Sequence, residues 1–250
     1  MARFETDGSI DPILRVSLEP GETICAERNA MVAMDRSLSL KGATRGGFFK
    51  SLARKVLNDE TFFQQVVEAG DHPGEILLAP NLPGDVLLLD VGERQYYLSD
   101  GAFLASTAGV EFETKTQSLG RALLGDSGGF FVMKTSGSGT LAVSGFGSVR
   151  ELRVTKERPM MVDNGHVVAW DAGLDYELSI NSSRSGLMGK LLHSQLSGEG
   201  VMLKFKGEGV VLVCSRNKGG FLDWIFSQSS SDTRVTVSYT HLTLPTILLV

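Results

Sequence analysis

The 250-residue chain reads as an all-β protein made of three similar units, each carrying one short helix. Three observations predict this. Apolar residues alternate at period two in short runs cut by Gly, Pro, Asn and Asp turns, the pattern of half-buried strands. The same succession of runs and turns returns three times at a spacing of about seventy residues, which marks an internal repeat. Glycine is abundant, at 29 residues, which suits a chain of many tight turns. Strands recurring every eight to twelve residues or so point to sandwiches or rolled double sheets.

Taken in order, the first unit covers about 10–80, the second 81–147 and the third 148–215. In the first, Leu14, Val16 and Leu18 alternate, Glu19–Glu22 turns, Thr23–Ala26 returns, and Ala30–Met34 follows a polar break. In the second, Asp85–Val91 runs into a Gly92-Glu93 turn and Gln95–Leu98 into Asp100-Gly101. Ala102–Ser106 then runs into Ala108-Gly109, and Val110–Thr116 completes the series. The third runs over Val149–Ile180, with turns at Lys156-Glu157, Asp163-Asn164-Gly165 and Asp171-Ala172-Gly173. Aligning the units lays Asn29–Ala33 over Gly101–Ala105 and Gly165–Ala169, in steps of 72 and 64 residues. The anchors Phe62, Phe130 and Val201 step by 68 and 71. Each unit is expected to hold about seven short strands and, before its last hairpin, a brief helix that cannot persist alone in water. Units this small bury little by themselves, so the three are expected to close on one another through a shared core. Residues 216–236 form a C-terminal extension with a polar break at Ser227–Arg234. Val237–Thr246, within 237–250, looks like the translation of a transposase sequencing adapter joined to the gene, and is set aside as an artefact.

Composition narrows the function. At 42% hydrophobic and 21% charged the chain is that of a globular protein, and its net charge of −5 argues against a dedicated nucleic-acid binder, which needs a dense basic face. Cys25 and Cys214 are far apart and lack metal or redox spacing, so both are expected as reduced, buried thiols. No apolar run reaches the eighteen or so residues of a membrane helix. The N-terminus has neither a signal-peptide layout nor the basic, acid-poor character of a transit peptide, so the expected location is the cytoplasm, at most peripheral to a membrane.

Four phrases carry a family resemblance: PGEILLAPNLPGDVLLLDV (Pro73–Val91), DGAFLASTAGVEFET (Asp100–Thr114), GDSGGFFVMKTSGSGTLAVSGFGSV (Gly125–Val149) and VDNGHVVAWDAGLDYEL (Val162–Leu178). In this order, across Ile10 to Ser215, they resemble the altered inheritance of mitochondria protein 24 (mitochondrial biogenesis) family, as a bacterial member. The resemblance implies three pseudo-threefold repeats like the tryptophan RNA-binding attenuator protein, each a shortened double-stranded β-helix. It also implies an association of the mitochondrial members with inner-membrane organisation. It supplies no catalytic motif.

Double-stranded β-helices often hold a metal, but His72, His166, His193 and His241 form no HxH pair, and His166 aligns with Ala30 and Ala102, which points to a local surface role. Ser127, in GDSGG, matches a protease nucleophile segment only superficially, since the corresponding stretches are NDET and SGEG. Gly128-Gly129 and Gly137-Ser138-Gly139 lack phosphate-loop context and suit hairpin turns. Asp100 and Asp163 sit in turns, where the side chain caps its own backbone. Attenuator-like RNA binding needs a strand lysine repeating around the ring of units, and no lysine recurs in this way through all three. No enzyme, metal or cofactor is therefore expected.

What stands out is a set of apolar–basic helical tips: Phe48, Phe49, Leu52, Arg54 and Lys55; Leu119, Arg121, Leu123 and Leu124; Leu187, Met188, Lys190 and Leu191. Either they pack short helices onto the sheets, or they present one face to a partner protein or an anionic membrane surface. The expected function is a non-enzymatic scaffold or interaction module at a membrane surface. The alternative is a sensor of small ligands or nucleic acid working from clefts between units, and the number of copies in an assembly is left open.

Overall fold

The computed structural model describes residues 1–42, 64–116, 131–180 and 201–229. Met1–Asn217 forms one compact unit, and a second unit begins at Lys218. The first is nearly all antiparallel β. After β1 (Arg3–Asp7) come β2 (Ile13–Leu18), β3 (Thr23–Glu27), β4 (Met31–Met34), β5 (Leu38–Gly42), β6 (Gln64–Ala69) and β7 (Gly74–Leu78). A second set follows: β8 (Val86–Val91), β9 (Tyr96–Ser99), β10 (Phe103–Thr107), β11 (Val110–Thr116), β12 (Phe131–Gly137) and β13 (Gly139–Ser144). The third is β14 (Val149–Val154), β15 (Met160–Asp163), a 3-10 turn at Asn164–His166, β16 (Val167–Asp171), β17 (Asp175–Ile180), β18 (Val201–Lys206) and β19 (Gly209–Cys214). Described strands thus come in sixes, where the turn spacing led to an expectation of about seven; only the first set gains a seventh, in β1. The helix expected in each unit falls outside the described residues.

One pairing scheme runs through all three sets. The first strand pairs with the sixth and the sixth with the third, while the second pairs with the fifth and the fifth with the fourth. Each set is therefore divided between two sheets. The second strand of one set then pairs with the third strand of the next, β3 with β10 and β9 with β16. Four sheets result. Two have six strands, β5-β6-β3-β10-β13-β8 and β11-β12-β9-β16-β19-β14, and each is shared by two sets. The outer two are smaller, β1-β2-β7-β4 and β15-β18-β17.

Local features recur in register. β4, β10 and β16 each slip against their neighbour at one point, between Met31 and Ala33, Phe103 and Ala105, and Val167 and Ala169. A bulge of this kind admits an extra residue and sharpens the strand's twist. Just beyond the bulge, a side-chain oxygen accepts a hydrogen bond from the backbone N–H of the sixth strand. Asp35 Oδ2 accepts from Glu75 at 2.9 Å, Thr107 Oγ1 from Thr140 at 3.0 Å and Asp171 Oδ2 from Val210 at 2.8 Å. The start of the second set is tied to the start of the third where Gly84 bridges Gly147. A Cβ at Gly84 would fall 2.0 Å from the carbonyl oxygen of Gly145, so only glycine allows the two backbones this close.

The core is three apolar clusters, one between each pair of successive sheets. Alternate residues of one strand serve different clusters, as the period of two requires. On β3, Ile24 and Ala26 belong to the first cluster and Cys25 to the second. On β9, Tyr96 and Leu98 belong to the second and Tyr97 to the third. The exchange runs backwards as well, because Leu104 of β10 reaches the first cluster and Val168 of β16 the second. The third is the most aromatic: the Trp170 ring lies 5.5 Å from Tyr97, 5.1 Å from Tyr176 and 5.6 Å from Phe205 between centroids. Such offset and edge-on pairs stabilise beyond the area they bury.

In the second unit the described element is helix α1 (Lys218–Ser229), with Leu222, Trp224 and Phe226 exposed. Among the described residues no helix is long and apolar enough to cross a membrane, which leaves membrane crossing by strands untouched.

Candidate functional site: hairpin segments and free sheet edges

Phe48, Phe49, Leu52, Arg54, Lys55, Leu119, Arg121, Leu123, Leu124, Leu187, Met188, Lys190 and Leu191 all lie outside the described residues. Their attachment points are described, and they correspond. Each group sits in the connection between the fourth and fifth strands of its set. Those strands pair up to Gly42↔Gln65, Thr116↔Phe131 and Ile180↔Val201. The three segments, 43–63, 117–130 and 181–200, thus lie in the chain between the same two paired strands in each set.

The described residues show a second feature that reading the sequence missed. Among them, nothing pairs with the outer edge of β4 or of β15. β4 is the third strand of the first set, and its counterparts β10 and β16 are covered by β3 and β9. β15 is the second strand of the third set, and its counterparts β3 and β9 are covered by β10 and β16. The consequence is visible in exposure. Met31 and Val32 are 40% and 53% exposed, whereas Phe103 and Leu104 at the same positions of β10 are 2% and 0% exposed. Met161 is 48% exposed, whereas its counterparts Cys25 and Tyr97 are 4% and 8% exposed. Residue type could not have revealed this, because all these positions are apolar or aromatic. The available signal was position among the described sets: β4 lies in the first of them and β15 in the last.

The candidates for chemistry resolve into structural roles. Cys25 and Cys214 are buried free thiols. Burial pushes the Cys25 thiol up to about 11, and burial also raises Cys214, so both favour the protonated, unreactive form. His166 Nδ1 lies 2.8 Å from the carbonyl oxygen of Cys214, while His72 is exposed. Asp163 Oδ1 accepts from the Gly165 N–H at 2.8 Å, so it caps its own turn. Gly137, with φ of 77°, makes the β12–β13 turn, which accounts for one of the glycine motifs. Among the described residues there is no group of three or more His, Cys, Asp or Glu placed to hold a metal ion.

This geometry defines a class: an antiparallel β protein whose sets exchange strands across shared sheets and whose outermost sheets end in apolar edges. Residues 4–216 match the family model described as mitochondrial biogenesis AIM24, and the chain belongs to that family. It is 35% identical over 223 residues to the uncharacterized protein M6_Spy0233 of Streptococcus pyogenes serotype M6, covering 86% of each chain. Its fold is similar to the crystal structure of protein SPYM3_0169 from Streptococcus pyogenes, with a TM-score of 0.76 and 30% identity. That match covers 91% of this chain and all of the other.

Proposed function

We propose that this protein is a non-enzymatic scaffold, peripheral to the membrane on its cytoplasmic side, that docks an anionic lipid surface through its three hairpin segments. The observation that carries this reading is their placement. Segments rich in the same residue types, Phe or Leu beside Arg or Lys, interrupt the same hairpin in all three sets. A basic residue near an anionic leaflet contributes about 1 kcal/mol, and apolar side chains beside it add burial in the interface. Each segment alone binds weakly. Three carried on one framework bind together, because the first contact raises the effective concentration of the other two. The description of the family as one of mitochondrial biogenesis is in keeping with a role near membranes.

Co-sedimentation with vesicles of phosphatidylcholine and phosphatidylserine tests this. The full chain is expected to pellet with mixed vesicles and to release as salt rises. A folded variant carrying Phe48→Ser, Leu123→Ser and Leu191→Ser is expected to stay in the supernatant. Equal pelleting of variant and parent would reject the membrane role.

A further inference from the structure

The two outer sheets have the strand order of the two halves of an inner sheet. In strand positions, each six-stranded sheet reads fourth-fifth-second from one set, then third-sixth-first from the next. The outer sheet of the third set, β17-β18-β15, is a fourth-fifth-second half. The outer sheet of the first set, β4-β7-β2 with β1 added beyond β2, is a third-sixth-first half. Each half stops at the strand where its complement would join.

We infer that a second copy of this chain supplies the complement, β15 of one copy pairing antiparallel with β4 of the next, head to tail. The inference goes beyond membrane docking and does not depend on it. It rests on continuity with a junction the molecule already makes twice, β3 on β10 and β9 on β16.

The register follows from those two junctions. Ala26 lies opposite Ala105 and Cys25 opposite Ser106; Leu98 lies opposite Ala169 and Tyr97 opposite Trp170. Through their pairing with the fifth strands, β15 residues Val162 and Met161 hold the positions of Leu98 and Tyr97, opposite Leu203 and Lys204 as those are opposite Met133 and Lys134. Through the bulge, Ala33 and Met34 hold the positions of Ala169 and Trp170. The new junction therefore sets Val162 opposite Ala33 and Met161 opposite Met34 of the neighbouring copy.

Side chains support the same arrangement. At the inner junctions the second strand inserts a residue into the cluster of the following set, Cys25 and then Tyr97. The third strand returns one into the cluster of the preceding set, Leu104 and then Val168. Met161 and Val32 are the members of this exchange that, among the described residues, enter no further cluster, and they are among the most exposed large apolar residues described in the first unit. An apolar edge strand left bare is a hazard that folded proteins blunt with charge, proline or a covering element. β4, with the sequence MVAM, carries no charge and no proline. Pairing head to tail is heterologous, so it propagates, into a ring where the rotation closes and into a filament where it does not. It also multiplies the hairpin segments on one assembly.

Mixing two blocked variants provides the test, on full-length protein without lipid, read by native mass spectrometry and light scattering. The parent is expected to form multimers. Val32→Lys blocks β4 and Met161→Lys blocks β15, and each alone is expected to be monomeric, with self-association weakened about tenfold or more. Mixed together, with one isotopically labelled, they are expected to form a 1:1 dimer that grows no further, because one intact β15 meets one intact β4. Met31→Lys and Met161→Glu repeat the experiment should either first choice fail to fold by circular dichroism. A parent that stays monomeric at every concentration overturns the inference. So does a singly blocked variant that still dimerises, which would mean like edges pair, or a mixture that yields no mixed dimer.

Discussion

β10 and β4 occupy the same place in their respective sets, share the same bulge and carry the same kind of residues, yet one is wholly buried and the other largely exposed. The difference lies in what sits beside them. β10 has β3 on its outer edge, and Leu104 enters the cluster of the preceding set. β4 has no such neighbour among the described residues. Burial at these positions is thus a property of the array, and an apolar strand at its end is a contact awaiting its other half.

The sharpest contrast is expected at the residue following Ala33 and Ala169 in those strands. Trp170 anchors the junction between β9 and β16 with Tyr97 stacked on it. Trp170→Ala is expected to cost about 3–5 kcal/mol, read from urea unfolding, because the aromatic cluster cannot collapse into the space. Met34→Ala, at the corresponding free edge, is expected to cost much less in the isolated chain. Similar losses for the two would mean that the edge is already covered.

Next comes the pair at the bulge. Leu104→Ala is expected to destabilise by about 2–5 kcal/mol, and Val32→Ala to stay within about 0.5 kcal/mol when measured on dilute, monomeric protein. At assembling concentrations the Val32 variant is expected to lose more, since its counterpart contact then exists. Equal, small effects at both positions would erase the distinction between inner and outer strands.

A smaller effect separates Cys25, at an inner junction, from any exposed group. Its thiol titrates near 11 in the fold because of burial, against an ordinary value of 9.0. Below pH 9 both folded and unfolded chains keep the proton, so the group leaves stability independent of pH. Between about pH 9 and 11 the unfolded chain releases it first, so stability falls as pH rises, by about 2–3 kcal/mol across the window. Tyr and Lys groups titrate there too, so the readout is the difference in urea midpoints between parent and Cys25→Ala from pH 8 to 11. The variant is expected to show the shallower decline, and identical slopes would mean Cys25 is not held dry.

Much of the architecture was legible in the residues themselves. Leu14, Val16 and Leu18 alternate and are buried, while Ile13, Arg15 and Ser17 between them are partly exposed. Asp163-Asn164-Gly165 marked a turn that Asp163 does cap. The all-β class followed from such signals, because strand alternation and turn chemistry are local. Strand partners were not legible. Nothing in Thr23–Glu27 says that it will leave its own set and pair with Phe103–Thr107, since that choice is made by tertiary packing. The free edges stayed hidden for the same reason, with MVAM of β4 resembling FLAST of β10. The thirteen residues read as helical tips lie outside the described residues, and the structure describes only the paired strands on either side of them in the chain.

Amide hydrogen exchange on the parent protein, followed from dilute to concentrated solution without lipid, tests the central claim most directly. Amides of Met31–Met34 and Met160–Asp163 are expected to gain protection together as concentration rises, towards the level of Phe103–Thr107 and Tyr96–Ser99. Rapid exchange of those two strands at every concentration, while the inner junction strands stay protected, would contradict the pairing of β15 with β4.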